Sequence, residues 1–242
     1  MVLVSHRYKF IYLKNYKVAG SSLESFFGQF CVDPSEPYSF QDKCDGYESS
    51  LGIISCRRVR FKPDEQTLQP DSVIKNWNQM VRKYVNNKRL NREEGIVWFN
   101  HKNAFHIKQD LGDEIFDSYF KFCVVRNPYD VVVSSYYWMK PDTDFKTYCK
   151  SYRIDYFNDD WSRICINGHP ICHVYIRYEN LKEDTEKVCQ ILGIQNYNVE
   201  EIPYHKSGLR PKIHYREYYD DETKAIVYNL YKDIFDMFGY TF

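Results

Sequence analysis

Short apolar runs alternate with longer mixed segments along the chain, and that alternation predicts its elements. Four runs read as strands: Tyr8 to Leu13, Ile96 to Asn100, Phe120 to Val125 and His173 to Ile176. Each is a few residues long and is followed by a stretch that reads as helix. Strand, loop and helix in repeated succession predict an α/β fold with a mostly parallel central sheet flanked by helices, because parallel neighbours need long crossovers. Helix starts are marked chemically. In "RNPYDVVVSSYYW", Asn127 is placed to cap and Pro128 to take the first helical position. In "YDDETKAIVYNLYKDIFDMFGY", Val227, Leu230, Tyr231, Ile234 and Phe238 recur on one face, which predicts one core-facing helix ending at Gly239.

From about Cys31 to Leu90 the pattern loosens and Pro, Asp and Gln become frequent, with one helix expected near Asp71 to Asn87. This region, about 31–90, is expected to be a variable insertion that caps the sheet and carries acceptor specificity. There is no repeat and no Gly/Ser linker, so a single domain over 1–242 is expected.

Charge narrows the partners. The 33 basic and 33 acidic residues cancel, which argues against nucleic acid or a membrane surface and favours a small anion. No run of about 18 apolar residues is present, so the chain as it stands is expected to be soluble and cytoplasmic, with no membrane contact. Eight cysteines contain no C-x-x-C pair, against a zinc ribbon, and free thiols are expected. "CINGHPICH", Cys165 to His173, gathers two cysteines and two histidines, but its spacing matches no common zinc signature. No metal site is expected.

Two segments carry chemistry. In "KFIYLKNYKVAGSSLESFF" a strand runs into a glycine, two serines and a helix, which presents backbone N–H groups and a helix N-terminus at one point. Gly20 permits the turn and Lys17 adds a mobile charge. The lysine precedes the glycine, unlike the phosphate loop of ATPases and kinases. In "FKFCVVRNPYDVVVSSYYW" a buried strand ends in Arg126, with Ser134 two turns into the next helix. An arginine at a strand's carboxyl end suits a phosphate, and two anion sites on one sheet edge suit a ligand with two separated phosphates. The alternative for Arg126 is a pair with an acidic neighbour.

Together these segments resemble the sulfotransferases. Lys17-Val-Ala-Gly-Ser-Ser22 is similar to their 5′-phosphosulfate loop, and Val125 to Ser134 to their 3′-phosphate segment. The resemblance is closest to the membrane-type carbohydrate enzymes, which include heparan sulfate 2-O-sulfotransferase and the chondroitin and dermatan enzymes. It extends to "IRYENLKEDTEKVCQILGI" and to the C-terminal "HYREYYDDETKAIVYNLYKDIFDMFGYTF". It implies a P-loop-like sulfotransferase fold and transfer of a sulfuryl group from 3′-phosphoadenosine 5′-phosphosulfate to an acceptor hydroxyl, on a saccharide or a small molecule, without a metal. Lys17 with Ala19, Gly20, Ser21 and Ser22 would hold the 5′ end, and Arg126 and Ser134 the 3′-phosphate. His101 would be the general base, with His106 as its rival. Lys206 and Ser207 in "YHKSGLRPK" would close over the nucleotide. Family members usually carry a membrane anchor and work in the Golgi lumen, which would be this chain's compartment if it is part of an anchored enzyme. Remaining alternatives are a soluble sulfotransferase of phenols, alcohols or amines, a P-loop kinase, and a catalytically silent nucleotide-binding protein.

Overall fold

The computed structural model describes residues 2–35, 38–40, 46–55, 98, 100–151, 160–205, 208 and 210–242. Six strands form the central sheet: β1 (Leu3–Ser5), β2 (Phe10–Leu13), β3 (Tyr47–Ser49), β4 (Gly52–Ile54), β5 (Phe120–Val125) and, after a separate hairpin of β6 (Cys165–Ile166) and β7 (His169–Pro170), β8 (Val174–Arg177). Their spatial order is β3-β4-β1-β2-β5-β8. The helices are α1 (Gly20–Gly28), α2 (Ala104–Leu111), α3 (Asp113–Ser118), α4 (Pro128–Met139), α5 (Phe145–Lys150), α6 (Asp160–Ile164), α7 (Leu181–Ile191), α8 (Asp221–Leu230) and α9 (Lys232–Phe238).

The α/β architecture is as expected, but the expectation of mostly parallel pairing holds for one half only. β2, β5 and β8 pair in parallel, Leu13 beside Cys123 and Val125 beside Arg177. β1 with β2, β1 with β4, and β3 with β4 are antiparallel. Connection length is the reason. The β1–β2 and β3–β4 links are tight turns, which can only reverse the chain, whereas β2–β5 and β5–β8 are joined by helical crossovers. Residues 47–54 therefore extend the sheet, although they fall in the region expected to cap it; the helix expected near 71–87 and most of the strand expected at 96–100 lie outside the described residues.

Alternating strand residues feed two cores. Phe10, Tyr12, Phe122 and Val124 face α1 and α7 through Leu23, Phe27, Val188 and Cys189. Ile11, Leu13, Cys123 and Val125 face Ala104 and Ile107 of α2, Phe116 of α3 and Ile164 of α6. Burial of a ring such as Phe27 contributes about 2–3 kcal/mol, and it fixes α1 against the sheet. A third cluster joins α4 and α5 to α8 and α9 through Val132, Val133, Tyr148, Val227 and Phe235. The single C-terminal helix expected from the periodicity is two, parted at Tyr231, which closes α8 and opens α9. Gly239 ends α9 with φ 64°, as expected of a C-terminal glycine. No helix among the described residues is long and apolar enough to cross a membrane.

"CINGHPICH" proves to be the β6–β7 hairpin, with Asn167 and Gly168 at φ 53° and 78° in its turn. Asn-Gly is the strongest short hairpin signal, and it was present in the sequence. Cys165 and Cys172 are free thiols, and no cluster of three or more metal-ligating side chains occurs among the described residues.

Candidate functional site

The three parallel strands end at one sheet edge, and the loops after β2, β5 and β8 meet there. After β2 the chain buries Lys14 and Asn15. Asn15 Nδ2 donates to Val124 O at 3.2 Å, which ties the loop to the neighbouring strand. The Lys14 stem lies across the start of α1: a Cβ on Gly20 would fall 2.5 Å from Lys14 Cε, so any larger residue would have to push that stem aside. The ammonium reaches Glu24 on α1 at 2.8 Å. Burial opposes ionisation of Glu24, yet the charge and hydrogen bond of Lys14 prevail and hold its pKa down at about 2.

Between these anchors Lys17 and Ala19 adopt left-handed backbone, φ 56° and 61°. Such a residue without glycine's freedom costs roughly 1–2 kcal/mol. The strain turns the chain so that α1 starts directly over the loop, and no side chain caps that start. Ser22 N and Leu23 N donate to Ala19 O at 2.9 and 3.2 Å, and the Gly20 and Ser21 amides ahead of them make a helix N-terminus of the kind that binds anions. Lys17 Nζ stands 5.2 Å above the ring of Trp138, a half-exposed residue near the end of α4.

The loop after β5 is regular. Asn127 caps α4, its side chain accepting from Tyr129 N at 3.0 Å, with Pro128 in the first turn as expected. Asn127 N donates to Glu179 Oε1 at 2.9 Å, so the Tyr-Glu-Asn-Leu segment after β8 serves to hold this turn. Arg126 is buried and does pair with an acidic neighbour: Nε and Nη2 donate to Asp130 Oδ2 at 2.8 and 2.6 Å. Asp130 also accepts from Arg210 Nη1 at 2.5 Å, so two guanidiniums share one carboxylate and the trio keeps a net positive charge. The Arg126 guanidinium lies 3.8 Å from the ring centre of Tyr178. Ser134 is half-buried on α4 and one turn before Trp138.

Arg126 Nη1 donates to Lys17 O at 2.8 Å, which joins the two loops directly. A crevice runs between them, lined by Asn15, Val18, Val125, Arg126 and Pro128 and closed by Tyr231 and Ile234. His101 packs against the loop after β2. Its Nδ1 is 3.1 Å from Lys14 O, and because a carbonyl only accepts, Nδ1 carries the proton and Nε2 presents the lone pair. The ring stacks on Tyr16 with centroids 3.9 Å apart. Burial pushes its pKa well below the usual histidine value, and the charges of Lys14 and Arg163 push the same way. His106 lies on α2, with its N bonded to the Asn103 side chain and its ring against Phe105. Lys206 and Ser207 lie outside the described residues, but their flanks are anchored at both loops. His205 N donates to Ser22 Oγ at 3.3 Å and Arg210 reaches Asp130.

A family model described as the sulfotransferase family matches residues 1–241. The chain belongs to the sulfotransferase family. It is also 33% identical over 102 residues to an uncharacterized protein of Archaeoglobus fulgidus, an alignment that covers 38% of this chain and 82% of that one. No solved structure matches the chain.

Several residues that shape the site of this sulfotransferase escaped the sequence reading. Asp130 was accessible, four residues beyond Arg126 on a helix start, where ion pairs form. Lys14, Tyr16, Arg163 and Arg210 carry no local signature, since their partners are 10 to 147 residues away (Lys14 to Glu24, Tyr16 to Arg163).

Proposed function

We propose that this sulfotransferase moves a sulfuryl group from 3′-phosphoadenosine 5′-phosphosulfate to an acceptor hydroxyl, favouring a saccharide. The observation that carries the reading is the 2.8 Å bond from Arg126 to the Lys17 carbonyl, which makes the two phosphate-type loops walls of one crevice. The residues fit such a donor. The uncapped start of α1 with Lys17 suits the 5′-phosphosulfate, while Arg126 and the Ser134 hydroxyl suit the 3′-phosphate.

In-line transfer builds charge on the leaving 5′-phosphate oxygen. Lys17 and the amides of Ala19, Gly20 and Ser21 would neutralise it, with the Ser22 hydroxyl nearby. The acceptor hydroxyl must lose a proton, and the Nε2 lone pair of neutral His101 would take it. Lys206 and Ser207, on a segment tethered to Ser22 and Asp130, would close over the nucleotide. No step calls for a metal. The second reading, transfer to a phenol, alcohol or amine, uses the same donor site and differs in the acceptor alone.

The test is a panel assay with sulfur-labelled donor in chelator, offered heparosan, chondroitin, dermatan and 4-nitrophenol. Label in a polysaccharide supports the proposal. Label in 4-nitrophenol alone moves the acceptor to the small-molecule class, and label in none of them overturns the saccharide assignment.

A further inference from the structure

Tyr16 occupies the position just before the loop lysine, and its ring carries two neighbours from distant parts of the chain. The His101 imidazole stacks on it at 3.9 Å between centroids and 28° between planes. The Arg163 guanidinium of α6 stands over the same ring at 4.3 Å. Arg163 is buried, and the residue after it, Ile164, is packed in the core against α2, so the column is rooted in the sheet's helical layer. His101 itself has left-handed backbone, φ 59°, a conformation that persists in a non-glycine residue only when its surroundings over-determine it. The Lys14 carbonyl fixes one edge of the imidazole, and the Tyr16 face fixes its plane.

We propose that Tyr16 and Arg163 are positioning residues for His101: the Arg163–Tyr16 column fixes the plane of the imidazole while Lys14 O holds Nδ1, which leaves Nε2 to take the acceptor proton. This inference rests on His101 being the general base. A tyrosine face between a cation and an imidazole suits the task, because stacking and cation–π attraction are directional and the latter strengthens where the cation, like Arg163, is buried.

The test separates the two claims. In the whole protein, nitrogen–proton correlation spectra of the histidine rings should show His101 with Nδ1 protonated and its carbon-bound protons shifted upfield by the Tyr16 ring. Tyr16→Leu should abolish that shift, leave the affinity for 3′,5′-adenosine bisphosphate within about twofold, and lower kcat about tenfold or more with the panel acceptor, since misplacing a base forfeits much of its effect. Tyr16→Phe should restore both the shift and most of the rate. Arg163→Met should reproduce a weaker form of the Tyr16→Leu effect. An unshifted His101 in the parent protein, or a Tyr16→Leu variant with the parent's kcat, overturns the positioning claim while His101→Ala remains inactive. If His101→Ala keeps full transfer, the base assignment fails first and the column has no catalytic task.

Discussion

The loops after β2 and β5 sit side by side at one sheet edge and solve the same problem by opposite means. After β2 the backbone is strained at Lys17 and Ala19, the following helix has no side-chain cap, and the half-buried Lys17 ammonium lies over the Trp138 ring at the end of a long stem. After β5 the helix is capped by Asn127, opened by Pro128 and braced by Glu179, and the charge of Arg126 is clamped by Asp130, Tyr178 and the Lys17 carbonyl. An uncapped helix end and an ammonium on a long stem suit charge that appears during a reaction. A rigid guanidinium in a preformed cage suits charge that is present from the start. Under the proposed function, the contrast would give rate to the first loop and recognition to the second.

The largest effect should come from Lys17→Ala. Turnover is expected to fall about 10²- to 10³-fold, as for loss of one transition-state donor, while affinity for 3′,5′-adenosine bisphosphate falls far less. Equal losses in both would erase the division of labour.

Arg126→Ala should do the reverse. It weakens bisphosphate binding by about 10- to 100-fold and leaves the Asp130 carboxylate with Arg210 alone. Because the pair is buried but Asp130 keeps Arg210, the fold should also lose about 1–3 kcal/mol, read as a lower urea midpoint. Arg126→Lys should recover stability only partly, since an ammonium cannot reproduce the fork that grips Asp130 and Lys17 O together.

A smaller, pH-dependent effect separates His101 from both loops. Its folded pKa lies below the ordinary value of 6.5, first through burial and then through Lys14 and Arg163. The imidazole therefore stays neutral as pH falls through 6.5, and the acid limb of kcat/KM should lie below that value. The sign for stability follows: the contribution is fully present above pH 6.5, where the unfolded histidine is also neutral, and is lost as pH drops through the folded value. An acid limb of the parent enzyme at or above pH 6.5 would show that another group sets it.

The smallest effects have opposite signs in the two loops. Ala19→Gly should stabilise by about 0.5–1 kcal/mol, because relief of left-handed strain outweighs glycine's added freedom in the unfolded chain. Asn127→Ala should destabilise by about 1 kcal/mol through loss of the cap. Destabilisation in both would mean that the β2 loop is not strained.

What could be read without the structure follows the same division. The β5 loop was legible almost residue by residue, because Phe120–Val125 and the Asn127–Pro128 start obey local rules of strand pattern and capping. The position of the β2 loop was legible from Lys17, Gly20 and the serines, but its internal bracing was not. The Lys14–Glu24 pair and the contact of His101 with Tyr16 and Lys14 depend on how distant segments pack. Strands β1, β3 and β4 are three residues each, too short for a period to register, and exist through pairing with one another and with β2. The reading of Cys165 to His173 by ligand type overlooked the Asn-Gly turn that governs it.

The central claim is that the two loops form one site for a ligand with two separated phosphates. Calorimetric titration with 3′,5′-adenosine bisphosphate in chelator, set against ATP with magnesium, tests it most directly. Tight, metal-independent binding of the bisphosphate with little response to ATP is the predicted result. Preference for magnesium ATP, or heat from neither ligand, would contradict the account.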